Sequence, residues 1–159
     1  MNAAEIHTML AGSFPGAILH FAADAVNPWI EVEPASLLDV MARLMDDRDL
    51  AFDELMCLSG VDYGPEKELG VIYHLCSTAK GHRFTVKVKL PRQNPVVPSV
   101  AGLWRTANWH EREAYDLLGI VFEGHPDLTR ILLPDDWEGY PLRKDYVLVK
   151  TYHGLQFKD

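Results

Sequence analysis

"RFTVKVKL", residues 83–90, is the clearest strand pattern in the chain. Apolar and polar side chains alternate along it without a break, which is typical of a β-strand with one buried face. The apolar positions are Phe84, Val86, Val88 and Leu90, and the polar ones are Arg83, Thr85, Lys87 and Lys89. We therefore expect a sheet with one face on a core. Arg83, Lys87 and Lys89 are expected to pair with acidic residues of neighbouring strands or to face water.

The residues before this stretch predict four more strands and two helices. The strand candidates are "AILHF" (17–21), "WIEVE" (29–33), "ELMCLSGV" (54–61) and "LGVIYHLC" (69–76). One helix is expected from Glu5 to Phe14, and a second is opened by Pro34, with apolar residues at helical spacing behind it. In "WIEVE", Ile30 and Val32 are expected to point inward. The order α-β-β-α-β-β-β predicts an α+β two-layer sandwich, with helices on one face of a mainly antiparallel sheet.

The amino-acid composition changes after residue 90. "PRQNPVVPS" (91–99) contains three prolines and predicts an extended linker. A helix follows, and then a tail rich in Pro, Gly, Trp and charge in which few strands are expected. We therefore divide the chain into a sandwich, residues 1–90, and a second part, residues 91–159, with linker, helix and tail, both within a single domain.

Composition excludes several classes of function. The net charge is −8, with −10 carried by residues 1–72, and this argues against nucleic acid as a partner. We expect neither a targeting segment nor direct membrane insertion. Cys57 and Cys76 are expected to be buried thiols of a reducing compartment, and two cysteines are too few for an iron–sulfur cluster. The sequence has neither a dinucleotide-binding glycine motif nor a phosphate-binding loop.

A charged helix is expected around "WHEREAYDLLGI", residues 109–120. One stripe of its helical wheel holds Ala107, Glu111, Ala114 and Leu118. A glutamate in an apolar stripe requires hydrogen-bond partners, and two explanations remain open. Asn108 and Glu111 have the spacing of a capping box, in which each side chain accepts from the other residue's backbone N–H. Alternatively, Glu111 contacts another element inside the core. Gly119 is expected to end the helix.

The opposite side of this helix is unusual for a solvent-facing surface. It holds Arg105, Trp109, Arg112 and Asp116, and the last two have the i,i+4 spacing of an ion pair. A tryptophan among charges, away from the core, indicates that this side is covered, either by the tail or by another protein of an assembly. Trp and Arg together are also the composition of an interface hot spot.

The same residues could instead form a metal site or an active site, which are more specific hypotheses than a structural helix. A zinc-binding HExxH motif requires a second histidine where the sequence has Ala114, and His125 can join only if the turn at Gly124 brings it back. We predict no metal site. Glu113, Asp116 and His125 stay open as general acids or bases, although neither a nucleophile nor a substrate pocket accompanies them.

Residues 108–146 carry a resemblance to a known family. The stretch "NWHEREAYDLLGIVFEGHPDLTRILLPDDWEGYPLRKDY" resembles the signature of the C subunit of NADH:quinone oxidoreductase, respiratory complex I, and "RQNPVVPSV" (92–100) resembles the residues that lead into it. Thr129, where a basic residue is expected, and Tyr140, where histidine is common, depart from the pattern. The chain also ends without the long C-terminal extension of some relatives.

The resemblance implies a structural role. Such a subunit belongs to the peripheral arm of a proton-translocating complex, at the cytoplasmic face of the cell membrane, and is held there through its partners. It carries no cofactor itself: NADH, FMN, the iron–sulfur clusters and quinone belong to the whole complex. Its expected partners are the quinone-site subunit and the iron–sulfur subunits. Related subunits occur in F420H2 dehydrogenases, membrane-bound hydrogenases and the photosynthetic NDH-1 complex. An independent acid–base or metal enzyme and an unrelated binding module are the hypotheses from other classes.

The tail, residues 126–146, is expected to be the main docking element. Its apolar side chains alternate with charges, and its prolines and glycines prevent a helix or strand that would bury them locally. We expect it to fold back over the Trp109 side of the helix or to lie across a partner. The candidate interface residues are Trp109, Glu111, Arg112, Glu113, Asp116, His125, Arg130, Trp137, Leu142, Arg143, Lys144 and Asp145.

Overall fold

The computed structural model describes residues 1–148 and 150–156. The helices in this part of the chain are α1 (Ala3–Ser13), α2 (Leu37–Asp46) and α3 (Ala107–Leu118), and a short 3-10 turn at Pro34–Ser36 leads into α2. The strands are β1 (Ile18–Ala22), β2 (Trp29–Val32), β3 (Glu54–Asp62), β4 (Leu69–Cys76), β5 (Arg83–Leu90), β6 (Val96–Pro98), β7 (Val121–Glu123), β8 (Thr151–Tyr152) and β9 (Leu155–Gln156).

The five long strands form one mixed sheet in the order β1-β2-β5-β4-β3. Three of its four pairings are antiparallel, and the pairing of β2 with β5 is parallel. The predicted α+β class with a mainly antiparallel sheet is confirmed, and each of the five strand predictions agrees with the structure to within one residue at either end.

The alternation along β5 sets the two faces of the sheet. Its four apolar side chains are buried, as are the inward residues Ile30 and Val32 of β2. On the other face Lys89 forms an ion pair with Glu31 at 3.0 Å, and Arg83 is exposed, as expected. Lys87 lies over the ring of Trp29, 3.8 Å from its centroid. The open face is therefore held by polar and cation–π contacts between neighbouring strands.

Residues 96–122 belong to the same core as the sandwich. The predicted linker is extended, but it also pairs, because β6 lies parallel to β7. Val97 and Val100 are fully buried, and the Trp104 indole N–H donates to the carbonyl oxygen of Phe52 at 3.0 Å. The second part of the chain thus completes the hydrophobic core that the first part begins.

Helix α3 packs closely on β3 because Gly60 lacks a side chain. A Cβ at this position would lie 2.6 Å from Leu118 Cδ1 and 3.2 Å from the Ala114 Cβ, closer than packed carbon atoms approach. This contact places α3 on the same face of the sheet as Tyr73 and the rest of the core.

The prediction of two buried thiols is wrong. Cys57 and Cys76 are free cysteines with intermediate exposure. Cys57 lies on the edge strand β3, and Cys76 lies on the adjacent strand β4.

Candidate docking site on helix α3 and the tail

The predicted buried stripe of α3 is confirmed. Ala107, Glu111, Ala114 and Leu118 are all buried. Gly119 ends the helix in the left-handed conformation, with φ of 71°, as expected for a C-terminal glycine. The ring of Tyr140 lies against it, so that a Cβ at Gly119 would be 2.5 Å from Tyr140 Cε2. The end of α3 and the tail therefore fit only with glycine here.

The capping box predicted for Asn108 and Glu111 is wrong. Thr106 occupies the N-cap position without a side-chain cap bond, and Asn108 lies inside the helix. The Glu111 carboxylate instead accepts from the Val100 N–H (Oε1, 2.8 Å) and from the Ser99 hydroxyl (Oε2, 2.5 Å). The alternative, a contact with another element inside the core, is the correct one.

Glu111 lies in a strongly desolvated site. Its exposed fraction is 0%. Burial raises the pKa of its carboxyl to about 7, although the bonds from Ser99 and Val100 act in the opposite direction. The nearest histidine nitrogen, His125 Nε2, is 3.9 Å from Oε2, and its imidazole is also fully buried. His125 Nε2 lies 3.1 Å from the Asn108 carbonyl oxygen, so the histidine joins the start of the tail to α3.

Asp116 organises the next part of the tail, residues 130–133. Its Oδ2 accepts from three consecutive backbone N–H groups, those of Ile131 (3.1 Å), Leu132 (2.7 Å) and Leu133 (2.9 Å). Its Oδ1 binds Arg130 Nη1 at 2.7 Å. Burial by itself raises the pKa of this carboxyl, but these bonds outweigh burial and hold the pKa below its ordinary value.

The predicted pairing of Arg112 with Asp116 is wrong. Arg112 donates instead to the tail: Nε to the Thr129 carbonyl oxygen at 3.1 Å, and Nη2 to the Thr129 hydroxyl at 3.0 Å and to the Arg130 carbonyl oxygen at 3.1 Å. Two side chains at i,i+4 spacing thus bind consecutive residues of the tail, 129–133, rather than each other.

The end of α3 holds a third part of the tail. The Leu142 N–H donates to the Leu117 carbonyl oxygen at 3.1 Å, and Arg143 Nε donates to the Leu118 carbonyl oxygen at 2.6 Å. The last carbonyls of a helix have no partners within it and carry a partial negative charge, which favours a cation such as Arg143. The Arg143 guanidinium also lies 4.8 Å from the centroid of the Tyr140 ring.

Sequence reasoning missed two residues that fix the last part of the tail, Asp62 and Arg92. Arg92 forms an ion pair with Asp62 and donates to the Gly64 carbonyl oxygen at 2.5 Å and to Asp145 at 3.0 Å. Asp62 also accepts from the Lys144 N–H at 2.8 Å. No local pattern could have indicated this group, because Asp62 is 30 positions from Arg92 and 82 positions from Lys144 in the sequence.

The tail folds back over α3, but it leaves apolar side chains in solvent. Trp109 is 66% exposed, and Leu132 and Leu142 of the tail are 62% and 59% exposed. The Arg112 guanidinium lies 5.8 Å from the Trp109 ring centroid. Trp137 is half-buried, 5.3 Å from the ring of Tyr152, and Glu113, Lys144 and Asp145 are exposed. Whether these residues meet a partner stays a prediction.

The acid–base candidates do not assemble into an active site in the described part of the chain. Asp116 is saturated by four donors, Glu113 is exposed, and His125 is engaged by Asn108 and by the Asp127 N–H. Among residues 1–148 and 150–156, no three His, Cys, Asp or Glu side chains are arranged to hold a metal ion. No helix there is long and apolar enough to cross a membrane.

Comparison with known proteins decides the family. The model of the family described as "Respiratory-chain NADH dehydrogenase, 30 Kd subunit" matches residues 30–152. The chain belongs to this family. It is 46% identical, over 98% of its length and 95% of the relative, to the C subunit of the NADH-quinone oxidoreductase of Chlorobium phaeobacteroides. The C subunit of the Chloroherpeton thalassium enzyme is 47% identical over 94% of this chain and 63% of the relative.

Two solved structures share the fold. A trypsin-resistant fragment (1-134) of Nqo5 superposes with a TM-score of 0.66 at 32% identity, covering 80% of this chain and 100% of the fragment. A chain of the membrane-bound sulfane sulfur reductase, an archaeal respiratory membrane complex, has a TM-score of 0.73 at 25% identity, covering 92% of this chain and 86% of that one. This member of the complex I 30 kDa family therefore has relatives in respiratory complexes of more than one kind.

Proposed function

We propose that this chain is a structural subunit of the peripheral arm of a proton-translocating NADH:quinone oxidoreductase. It docks on the quinone-site subunit through α3 and the tail, and it holds that subunit in register with the iron–sulfur subunits. Electrons pass from NADH through iron–sulfur clusters to quinone in its neighbours. The complex places it at the cytoplasmic face of the cell membrane, as a peripheral subunit.

The observation that carries this proposal is the combination of a firmly held tail with exposed apolar side chains. Asp116, Arg112 and Arg143 bind the tail to α3, while Trp109 and Leu132 remain more than half exposed. Exposed apolar side chains on a fixed backbone lose little conformational entropy on binding, which favours a stable protein interface. A large exposed tryptophan beside an arginine is also the composition of a hot spot.

Replacing Trp109 with alanine is expected to weaken binding of the full chain to the quinone-site subunit about thirtyfold. Loss of a hot-spot tryptophan costs about 2 kcal/mol, and each 1.4 kcal/mol is about tenfold in affinity. The measurement is a titration of the purified quinone-site subunit with the wild type and the variant. Because Trp109 is 66% exposed, the circular dichroism spectrum should stay unchanged.

Leu19→Ala is the matched control, since Leu19 is 53% exposed but lies on the edge strand β1. It should bind like the wild type. If Trp109→Ala and Leu132→Ala both bound as tightly as the wild type, the interface would lie instead on the sheet or in the acidic first half of the chain. Substitution of Arg143 is less informative, because its bond to the Leu118 carbonyl oxygen makes it part of the tail's attachment.

We also propose that the chain carries no cofactor. Its two cysteines are too few for an iron–sulfur cluster, and its sequence has neither of the usual nucleotide-binding loops. Untagged protein is expected to contain less than one equivalent of iron or zinc by elemental analysis, and to show neither flavin absorbance nor NADH binding. One equivalent of a transition metal would contradict this.

The likeness to a chain of a sulfane sulfur reductase favours one alternative, namely the equivalent subunit of a complex with another electron donor. F420H2 dehydrogenases, membrane-bound hydrogenases and the photosynthetic NDH-1 complex are such complexes. Isolating the complex through a tag on this chain and comparing its oxidation of NADH, F420H2, hydrogen and reduced ferredoxin distinguishes them. The docking role is the same in each.

A further inference from the structure

Glu111 is a fully buried carboxyl that the proposed docking role does not use. It lies where α3 meets residues 99–100, strand β4 and the start of the tail. Only two hydrogen-bond donors reach it in the described part of the chain, the Ser99 hydroxyl and the Val100 N–H. Asp116, on the same helix, is equally buried but has four donors, one of them a guanidinium. The two acids therefore have opposite environments.

No fixed positive charge compensates Glu111. In the described residues its one basic neighbour is His125, at 3.9 Å. His125 Nδ1 accepts the Asp127 N–H at 3.0 Å, which requires Nδ1 to be unprotonated and leaves the ring proton on Nε2, facing the Asn108 carbonyl oxygen. The imidazole is therefore neutral in this arrangement. An ionised Glu111 would be a buried carboxylate without a counter-charge, which is strongly unfavourable.

Strand β4 adds another buried polar group beside Glu111. The Tyr73 hydroxyl is fully buried and has no hydrogen-bond partner among the described residues. Burial, and after it the nearby Glu111 carboxylate, raises the pKa of Tyr73 well above its ordinary value, so the phenol stays protonated. Tyr73 and His125 are the titratable groups that face Glu111 from the neighbouring elements. Neither supplies a positive charge.

We propose that Glu111 is a proton-binding site of the folded subunit, and that its protonation state controls how firmly the start of the tail is attached. With the proton bound, the neutral carboxyl fits the buried site and His125 Nε2 faces the Asn108 carbonyl oxygen. When the proton leaves for solvent, the carboxylate Oε2, 3.9 Å from His125 Nε2, becomes the stronger acceptor for the ring N–H. The neutral imidazole then turns from Asn108 towards Glu111, and this alters the bond that its Nδ1 accepts from the Asp127 N–H.

The dependence of stability on pH follows from the direction of the shift. Burial raises the folded-state pKa of Glu111 from 4.5 to about 7. The stabilisation from the bound proton is therefore complete below the unfolded value of 4.5 and is lost as the pH rises through about 7. Between these values the folded protein binds more protons than the unfolded chain, so the Glu111 contribution to stability falls as the pH rises.

The direct test is a carbon-13 NMR titration of the glutamate carboxyls in the full-length wild-type chain. We expect the Glu111 signal, assigned by its absence in Glu111→Gln, to titrate with a midpoint near 7, and the Asp127 amide signal to follow it. A midpoint near the ordinary value of 4.5 would overturn the proton site. If the chemical shift of the Asp127 amide did not change over the Glu111 titration, the coupling to the tail would be overturned.

Stability measurements provide the second test. Glu111→Gln keeps the shape and an acceptor for the Val100 N–H but cannot ionise. Relative to Glu111→Gln, the folding equilibrium constant of the wild type should fall by about one to two orders of magnitude between pH 5 and pH 8. If the ratio of the wild-type folding constant to that of Glu111→Gln stayed the same from pH 5 to pH 8, the proposal would be contradicted.

Two control variants identify the titrating group. Glu113→Gln removes an exposed carboxylate from the same helix and should keep the pH dependence of the wild type. His125→Gln removes the imidazole while retaining an N–H for the Asn108 carbonyl oxygen, and it should keep the Glu111 titration. If the dependence vanished in His125→Gln instead, the histidine would be the titrating group and the proposal would be wrong.

Discussion

Replacing Asp116 with alanine is expected to lower the free energy of unfolding by about 3–5 kcal/mol. The substitution leaves the Arg130 guanidinium, whose side chain is 18% exposed, without its carboxylate. It also removes the acceptor of three consecutive backbone N–H groups. Urea denaturation followed by circular dichroism measures the change, and limited digestion with trypsin reports whether the chain becomes cleavable after Arg130.

Glu113→Ala is the matched control for this experiment. Glu113 is an exposed carboxylate on the same helix, so its removal should change the free energy of unfolding by less than about 0.5 kcal/mol. Asp116→Asn, which keeps the shape and loses the charge, should lie between the two. An Asp116→Ala variant as stable and as trypsin-resistant as the wild type would show that the tail is held elsewhere.

Replacing Arg92 with alanine is expected to have the second largest effect, a loss of about 3 kcal/mol. The Arg92 side chain is only 10% exposed and joins Asp62, Gly64 and Asp145. Asp62, 3% exposed at its side chain, keeps its bonds from the Gly64 and Lys144 N–H groups but loses its cation. The measurement is again denaturant unfolding, with trypsin cleavage after Lys144 as the local readout.

Arg92→Lys tests whether the positive charge alone is sufficient or whether the planar guanidinium group, with its several N–H donors, is required. Lysine keeps the positive charge but cannot bind several acceptors in fixed directions, so we expect it to recover only part of the loss. Arg83→Ala is the control for removal of an exposed arginine, and it should be close to neutral. A loss for Arg92→Ala that is no larger than for Arg83→Ala would contradict the role of Arg92 as an anchor.

The sequence predicted well what depends on periodicity. The alternation in residues 83–90 identified a strand and both of its faces, because a side-chain period of two occurs only in extended chain. The buried stripe of α3 followed from the helical period in the same way, and Gly119 followed from the need for a positive φ. Patterns of this kind depend on neighbouring residues alone, and neighbours are visible in sequence.

The two N-x-x-E stretches show where local patterns fail. Asn2 and Glu5 form a true capping box at the start of α1, with both bonds at 2.9 Å. Asn108 and Glu111 have the same spacing, but α3 already begins at Ala107 because Trp104 and Thr106 are anchored to Phe52 and Leu55. The packing of residues 99–106 on the core decides where α3 starts, and no local pattern records that packing.

The side-chain partners of the site could not be predicted for the same reason. Arg112 and Asp116 have the spacing of an ion pair, yet each finds a better geometry with the tail, 14 to 18 residues further on. Tertiary contacts of this kind override a surface pair whose contribution is below about 0.5 kcal/mol. The fold class was therefore accessible from the sequence, whereas the attachment of the tail required the structure.

The way in which Asp116 binds the tail determines which substitutions the tail can accept. The carboxylate binds main-chain N–H groups at positions 131, 132 and 133, and every amino acid except proline supplies one. Leu132, at the middle of the three, points its side chain into solvent. Its chemistry can therefore change to suit a different neighbouring surface while the path of the backbone stays the same. Outward-facing side chains in this segment can therefore be exchanged one at a time without loss of its attachment to Asp116.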